Sequence, residues 1–222
     1  MKLSIIIPAY NEEDNILPLY KEILKNIPKK YSYEIIFIDD GSTDSTLKNI
    51  KAIKDKNIKS ISFRKNFGKA EGLNTGFKEA TGDIIITMDA DLQDNPKEIP
   101  NFIKKINEGY DLVSGWKYNR LDPLGKRVPS KLFNKLTRIL TRVNLHDFNC
   151  GFKAYKKEVA KSLKLYGEMH RYIPAMASWQ GFKVGEIKVD HRERVHGVSK
   201  YGWERLIKGL LDLCTITFLG SY

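Results

Sequence analysis

The feature that most constrains the fold of this chain is a regular alternation, in its first half, of short apolar segments with longer segments of helical periodicity. The first apolar segment is at 4–7, where three isoleucines follow Ser4. Apolar residues at helical spacing come next, between Ile16 and Ile27. A similar apolar segment follows at 34–38. Strands that are apolar at nearly every position are buried on both faces, as in a parallel sheet covered by helices. The sequence therefore predicts an α/β fold with a mostly parallel sheet.

The same pattern continues to about residue 114. It predicts a helix entered through residues 42–44, a strand at 58–63, a helix at 69–80, strands at 83–88 and 111–114, and a helix after Pro96. From Ser130 onward the pattern changes to an apolar stripe of Leu132, Phe133, Leu136, Ile139, Leu140 and Val143 beside a basic face of Lys131, Lys135, Arg138 and Arg142. Such a helix is either an ordinary surface helix or one that lies on an anionic bilayer.

The net charge of +11 is distributed unevenly. Residues 1–116 carry 17 basic and 18 acidic side chains, whereas residues 117–222 carry 21 and 9. A basic excess confined to one half indicates an anionic partner there, either a nucleic acid, a membrane surface or a phosphorylated substrate. A lysine-rich solvated surface is the simpler alternative.

The two ends of the chain and its cysteines indicate the cellular compartment of the protein. The apolar run after Lys2 is too short for a signal peptide, and two distant cysteines, Cys150 and Cys214, favour a reducing compartment. Residues 206–219 are apolar but contain Lys208 and Asp212 and are too short to span a bilayer. We therefore expect a soluble chain trimmed from a longer membrane protein, ahead of its transmembrane helices.

Polar residues follow three of the predicted strands, at 8–12, 39–44 and 89–94. In an open parallel sheet the ligand site lies beyond the carboxyl ends of the strands, so these loops are predicted to face one site. Carboxylates gathered there repel one another unless a cation is present, and a hard divalent cation is the natural candidate. Taken alone, Asp89 and Asp91 are also compatible with an ordinary loop, and the EF-hand, P-loop, GxGxxG, HExxH and GxSxG patterns are all missing from the sequence.

In their order along the chain, these segments resemble the motifs of family 2 glycosyltransferases with a GT-A (Rossmann-like) fold. The matching segments are residues 8–13, 39–44, 64–69, 82–83 and 88–94. Three later segments, 147–153, 168–174 and 192–201, resemble the polyprenyl-phosphate glycosyltransferases, which include dolichyl-phosphate mannose synthases and undecaprenyl-phosphate sugar transferases. The resemblance implies one GT-A domain over residues 1–222, with a nucleotide- and metal-binding half at 1–116 and an acceptor-binding, membrane-facing half at 117–222.

The resemblance also implies roles for individual residues. The metal, Mg²⁺ or Mn²⁺, is expected on Asp89, Asp91 and Gln93, and the acceptor phosphate on Arg194, Ser199 and Lys200. Asp91, Asp147, Arg194 and Lys200 are the expected catalytic group, with Asp147 either a base or a residue that orients Lys or Arg. The residues expected to bind the nucleotide-sugar are Pro8, Ala9, Tyr10, Glu12, Ile38, Asp39, Asp40, Lys69, Asp89, Ala90 and Lys117.

One departure from the family pattern concerns Lys117, which lies where many members have an arginine and which lacks the bidentate guanidinium. The chemistry otherwise agrees with the resemblance. A divalent ion neutralises the charge on a departing nucleoside diphosphate. An acceptor phosphate monoester is already largely ionised at neutral pH, so its attack needs little help from a base.

We therefore predict an inverting, metal-dependent transferase that moves a sugar from a UDP- or GDP-hexose to a polyprenyl phosphate at the cytosolic membrane face. The nearest alternative is a family 2 enzyme acting on a soluble glycan or a protein. A non-catalytic sugar-nucleotide binder and a nucleic-acid-binding protein are less favoured, the latter because the sequence lacks RNP, GXXG and zinc-finger motifs. The sequence is compatible with a homo-oligomer as well as with a monomer.

Overall fold

The computed structural model describes residues 1–118, 134–193 and 204–219, the last of these with side chains from 211 to 218. Seven strands form one sheet. Five of the predicted strands are confirmed, with bounds that differ by one to three residues, and two further strands come after them. The strands are β1 Lys2–Ala9, β2 Ser32–Asp39, β3 Ile58–Ser62, β4 Ile84–Thr87, β5 Leu112–Lys117, β6 Lys153–Lys156 and β7 Val184–Val189.

Helices cover both faces of this sheet. A 3₁₀ turn at Pro96–Glu98 leads into the helix predicted after Pro96. A second 3₁₀ turn, Met169–Arg171, precedes a helix at Ile173–Trp179 that the sequence did not predict. The helices are α1 Ile16–Asn26, α2 Thr46–Ala52, α3 Lys69–Glu79, α4 Ile99–Asn107, α5 at residues 134–141, α6 Lys157–Ser162, α7 Ile173–Trp179 and α8 Glu204–Leu219.

The strand order is β3-β2-β1-β4-β6-β5-β7. β1 pairs in parallel with β2 on one side and with β4 on the other, and β6 is antiparallel to both of its neighbours. The sheet is therefore mixed: most of its strand pairs are parallel, and β6 is antiparallel. The expected α/β GT-A class with a mostly parallel sheet is confirmed. The direction of the strand order reverses between β1 and β4, which is where open α/β sheets form a ligand crevice.

The two faces of the sheet carry two separate apolar layers. Ile5, Ile7 and Phe37 pack with α1 and α4, whereas Ile6 and Ile36 pack with α3, α7 and α8. This division follows from the alternation of side chains along a strand. α3 approaches β1 so closely that a Cβ on Gly76 would lie 2.3 Å from Ile6 Cγ2, so only glycine fits there.

A buried carboxylate joins the amino-terminal ends of three strands. Glu34 on β2 accepts hydrogen bonds from Ser4 Oγ at 2.6 Å and from Thr81 N at 2.7 Å, and it forms ion pairs with Lys2 and Lys59. Burial by itself raises the pKa of Glu34, but the hydrogen bonds from Ser4 and Thr81 outweigh burial and lower the pKa from 4.5 to about 2. The ionised form is thus tied to the folded state.

Helix α5 differs from an ordinary amphipathic helix in which side it buries. Its polar residues Asn134, Thr137 and Thr141 are buried, whereas Leu136, Ile139 and Leu140 are 37%, 63% and 41% exposed. Of the predicted stripe, Val143 is buried, and residues 131–133 lie outside the described part of the chain. In the ranges that the structure describes, no helix has the length and apolarity needed to cross a bilayer.

We predict that Glu34→Gln lowers the free energy of unfolding at pH 7 by about 2 kcal/mol, because it removes charge-assisted hydrogen bonds from a buried site. The pKa of Glu34 is lower in the folded state, so its contribution is present above pH 4.5 and is lost as the pH falls through about 2. Urea denaturation at a series of pH values measures both effects. The exposed Glu79→Gln serves as the control, and equal pH dependence in wild type and Glu34→Gln would contradict the prediction.

Candidate active site

The loops that leave β1 and β2 hold each other in place at the crevice. Asn11 N donates to Ser42 Oγ at 2.9 Å, and Thr43 N donates to Asn11 Oδ1 at 2.8 Å. Glu12 N donates to Thr46 Oγ1 at 2.8 Å. Asn11 adopts a φ of 52°, a left-handed conformation that asparagine tolerates better than most residues. The segment Pro8, Ala9, Tyr10 and Glu12, which is predicted to bind the nucleotide, therefore has a defined path over the end of β1.

Asp39 and Asp40, at the end of β2, are both buried, and both carboxylates accept hydrogen bonds. Asp39 accepts from Ser62 Oγ at 2.7 Å and from Ser42 N at 3.2 Å. Asp40 accepts from two backbone N–H groups of the 64–68 loop, those of Phe67 at 2.7 Å and Gly68 at 2.9 Å.

Burial and the charge of Asp39 outweigh these two hydrogen bonds and raise the pKa of Asp40 above its ordinary value. The two carboxylates thus shape the loops around the crevice, beside the buried Ile38. Nucleoside binding by these three residues stays a prediction.

Asp89 lies just beyond the end of β4 and forms an ion pair with Lys69 at the start of α3. Burial tends to raise the pKa of Asp89, but the positive charges of Lys69 and Lys117 outweigh it and hold the pKa well below its usual value. The carboxylate also packs against Gly151, where a Cβ would lie 2.6 Å from Asp89 Oδ2. The structure therefore brings the predicted site residues Lys69, Asp89 and Lys117 together.

Residues 91–93 form a tight turn whose backbone is unusual. Leu92 has a φ of 62°, a left-handed conformation that costs a bulky residue of the order of 1–2 kcal/mol. Asp91 Oδ1 accepts from Gln93 N at 3.2 Å. Gln93 is joined to the segment after β7, since its Nε2 donates to Arg192 O at 3.3 Å and Arg192 N donates to Gln93 O at 3.0 Å. Strain held by tertiary contacts in this way is typical of functional turns.

A buried ion pair between Asp94 and Lys117 lies beneath this turn. The ammonium of Lys117 is 3.3 Å from Asp94 Oδ1, and the two side chains are 13% and 1% exposed. Burial alone lowers the pKa of Lys117, but the carboxylates, Asp94 foremost, raise it above its ordinary value, so the lysine is charged. Asp94 Oδ2 also accepts from Asp89 N at 3.2 Å. Sequence reasoning did not assign Asp94 a role, although it belongs to the 89–94 motif.

The segment from Asp147 to Gly151, called here the 147–151 loop, closes one side of Asp89. Asp147 is 2% exposed, and its Oδ1 accepts from Asn149 N at 3.0 Å. Thr87 Oγ1, at the end of β4, donates to Gly151 O at 2.8 Å. The structure thus places Gly151 of this loop against Asp89, a catalytic role of Asp147 stays a prediction, and Arg194, Ser199 and Lys200 lie outside the described residues.

The described residues provide hard oxygen ligands for a metal, but not a complete set. In the described part of the chain, no group of three or more His, Cys, Asp and Glu side chains could hold an ion. The predicted ligands are the carboxylates of Asp89 and Asp91 and the amide oxygen of Gln93, with further ligands expected from a bound molecule, and metal binding by these residues stays a prediction. Such an oxygen set suits Mg²⁺ or Mn²⁺.

Residues 4–164 of the chain match the family model described as Glycosyl transferase family 2. The chain belongs to this family. Among relatives of this family 2 glycosyltransferase, dodecaprenyl-phosphate galacturonate synthase of Rhizobium johnstonii is 37% identical over 100% of the chain and 68% of the relative. Undecaprenyl-phosphate 4-deoxy-4-formamido-L-arabinose transferase of Shewanella sediminis is 39% identical over 96% of the chain and 66% of the relative. The chain thus spans about two thirds of the length of these relatives.

The GT-A fold of this family 2 glycosyltransferase is also found among solved structures. Glucosyl-3-phosphoglycerate synthase of Mycobacterium tuberculosis, in complex with Mn²⁺, UDP and glucosyl-3-phosphoglycerate, superposes with a TM-score of 0.73 at 22% identity. The match covers 96% of this chain and 80% of that one. Its crystal form with Mn²⁺ and UDP-glucose gives a TM-score of 0.74. At this identity the likeness is one of fold.

We predict that Asp94→Asn destabilises this family 2 glycosyltransferase by about 3 kcal/mol, because it leaves the Lys117 ammonium buried without its carboxylate. Lys117→Met alone is expected to cost a comparable amount, and the double variant less than the sum of the two. Urea denaturation of the four proteins measures the coupling. Additive effects would mean that the two side chains do not interact.

Proposed function

We propose that this protein transfers a sugar, with inversion, from a UDP- or GDP-hexose to a polyprenyl phosphate. The observation that carries the proposal is the position of the Asp89–Gln93 turn, which lies at the crevice between β1 and β4 with Lys69 and Lys117 beside it. We also propose that residues 1–116 bind the donor and that residues 117–222 bind the acceptor.

The charges in the crevice fit a diphosphate only if a dication accompanies it. At the turn itself, three carboxylates, Asp89, Asp91 and Asp94, and the two ammonium groups beside them, Lys69 and Lys117, leave one net negative charge. A diphosphate diester adds two more negative charges, which a divalent cation balances. Asp89, Asp91 and Gln93 would hold such an ion, with oxygens of the donor as the remaining ligands. When bound, Mg²⁺ or Mn²⁺ supplies Lewis-acid stabilisation of the leaving diphosphate.

The chain's own residues account for binding of the donor. The interlocked loops after β1 and β2 offer Tyr10, Glu12 and Asp39 to the nucleoside, beside Pro8, Ala9, Ile38 and Asp40. Ala90, between Asp89 and Asp91, would contact the ribose and phosphates of the donor. Lys69 and Lys117 add positive charge. Its attraction for the leaving diphosphate grows as that group gains negative charge.

The acceptor supplies its own nucleophile, because a phosphate monoester is mostly ionised at neutral pH. Asp147, which is buried, then orients Lys or Arg, or acts as a base for the minor fraction of acceptor that still carries a proton. Arg194, Ser199 and Lys200 are proposed to bind the acceptor phosphate. The names of two relatives, a dodecaprenyl-phosphate and an undecaprenyl-phosphate transferase, support this class of acceptor.

A lipid acceptor requires contact with a membrane, and α5 has a suitable outer surface. The exposed Leu136, Ile139 and Leu140 lie on the same helix as the exposed Lys135, and Arg142 follows directly. Exposed apolar residues flanked by cations bind the interface of an anionic bilayer. We propose that this surface, here called the α5 face, lies on the cytosolic leaflet.

The function is tested by incubating the protein with a polyprenyl phosphate, Mn²⁺ and radiolabelled sugars on UDP or GDP. We expect label to enter the organic phase with at least one donor. We expect Asp91→Asn to reduce transfer at least a hundredfold, because it removes a carboxylate from the proposed ion. The exposed Glu108→Gln is the control and should leave transfer unchanged.

One further result of this experiment, and one from calorimetry, would contradict the proposal. Label that remains in the aqueous phase on a glycan or protein would favour the soluble-acceptor alternative. Isothermal titration calorimetry gives an independent readout, since Mn²⁺-dependent binding of UDP or GDP should weaken at least tenfold in Asp91→Asn. Equal affinities would exclude Asp91 as a metal ligand.

For the membrane surface, we predict that the protein floats with vesicles containing phosphatidylglycerol and does so less at high salt, because screening weakens attraction to anionic lipid. Replacing Ile139 and Leu140 on the α5 face with serine should reduce the bound fraction severalfold. Leu17→Ser, at an exposed leucine of α1, is the matched control. Equal flotation of all three proteins would rule out the α5 face.

A further inference from the structure

The 147–151 loop determines where Asp89 can lie. A Cβ on Gly151 would fall within 2.8 Å of three atoms of the Asp89 carboxylate group, so the backbone of Gly151 is in direct contact with that carboxylate. Real Cβ contacts do not occur at such distances, and no other residue type fits without a shift. Any displacement of the loop backbone towards β4 would therefore displace Asp89.

Side chains from three strands hold this loop by its carbonyl groups. Thr87 on β4 donates to Gly151 O, and Ser114 on β5 donates to Asp147 O at 3.4 Å. The third is Lys153, the first residue of β6, whose ammonium donates to Cys150 O and, at 3.4 Å, to Phe148 O. Lys153 thus binds two loop carbonyls at once, and its backbone lies opposite Thr87 in the sheet.

Lys153 is an unfavourable choice for stability alone. The residue is 3% exposed, and within the described residues its ammonium forms no ion pair with a carboxylate, although Asp147 and Asp89 are near enough to favour its charged form. Burial, with a smaller contribution from Lys69, lowers the pKa of Lys153 to about 8. Burying an ammonium on neutral acceptors costs free energy that an apolar side chain of similar length would not cost. A reason other than stability is needed for a lysine here.

We propose that Lys153 is a positioning residue, which fixes the carbonyls of Phe148 and Cys150 and thereby, through Gly151, places Asp89 for the metal and the donor diphosphate. The role in donor binding rests on the proposed function above. The placement of the loop itself does not. Because Lys153 acts through the loop and not on the ligand, its removal should loosen the loop without unfolding the protein.

The test uses Lys153→Met, which keeps the length of the side chain and removes its charge and donors. Alkylation of Cys150 by iodoacetamide, followed by peptide mass spectrometry, reports on opening of the loop, since Cys150 is buried and its carbonyl is one that Lys153 holds. We expect alkylation at least ten times faster than in wild type, in protein that circular dichroism shows to be folded at the assay temperature. Mn²⁺-dependent UDP binding, measured by calorimetry, should weaken at least tenfold.

The matched control is Lys156→Met, on the same strand, where the lysine is only partly buried and pairs with Asp111. It should leave alkylation and UDP binding as in wild type. If Lys153→Met does not fold, Lys153→Gln, which keeps one donor group, takes its place and should give a smaller change in the same direction. A merely structural role would give faster alkylation without weaker Mn²⁺-dependent nucleotide binding.

The outcomes separate this inference from the proposed function. Unchanged alkylation of Cys150 in both Lys153 variants would overturn the positioning role. Faster alkylation with UDP affinity like that of wild type would overturn the link between the loop and Asp89. If wild type binds no UDP or GDP with Mn²⁺, the proposed function fails, and alkylation still decides whether Lys153 holds the loop.

Discussion

The parallel pairing of β1 with β2 on one side and with β4 on the other is the constraint on which the site depends. It places the carboxyl ends of all three strands at one edge of the sheet, where the strand order reverses. The loops that leave those ends then carry Asn11, Asp39 and Asp89 into one crevice. The hydrogen bonds between the loops after β1 and β2 are possible only because the sheet has already brought these two loops together.

Two ion pairs lie beside the turn at 89–94. Lys69 neutralises Asp89 and Lys117 neutralises Asp94, so four charged side chains are kept in a poorly solvated region at low net charge. Each pair joins different elements, α3 with the loop after β4, and the end of β5 with the same loop. The arrangement therefore serves both the packing of the elements and the binding of a ligand that brings its own cation.

Much of the fold and part of the site could be predicted from the sequence. Apolar periodicity predicts β1 to β5 and the helices between them, because both faces of β1, β2 and β4 are buried, while β3 at the edge of the sheet is only half-buried. It does not predict β6 and β7, whose short and partly polar sequences resemble loops. The motif at 89–94 predicts the acidic turn, but the roles of Asp94 and Lys153 depend on partners at distant positions in the chain, Lys117 for the first and the 147–151 loop for the second.

The sequence by itself determined the class of fold, the family and the residue types offered to a ligand, because these depend on local periodicity and on motifs of a few residues. Only the tertiary structure decided which carboxylates are paired with cations, which loops hold one another and which side of α5 is exposed. The physical reason is that ion pairing and burial depend on distances between elements remote in sequence. Leu136 and Ile139, for example, are apolar in any sequence analysis, but their exposure is a property of the folded molecule.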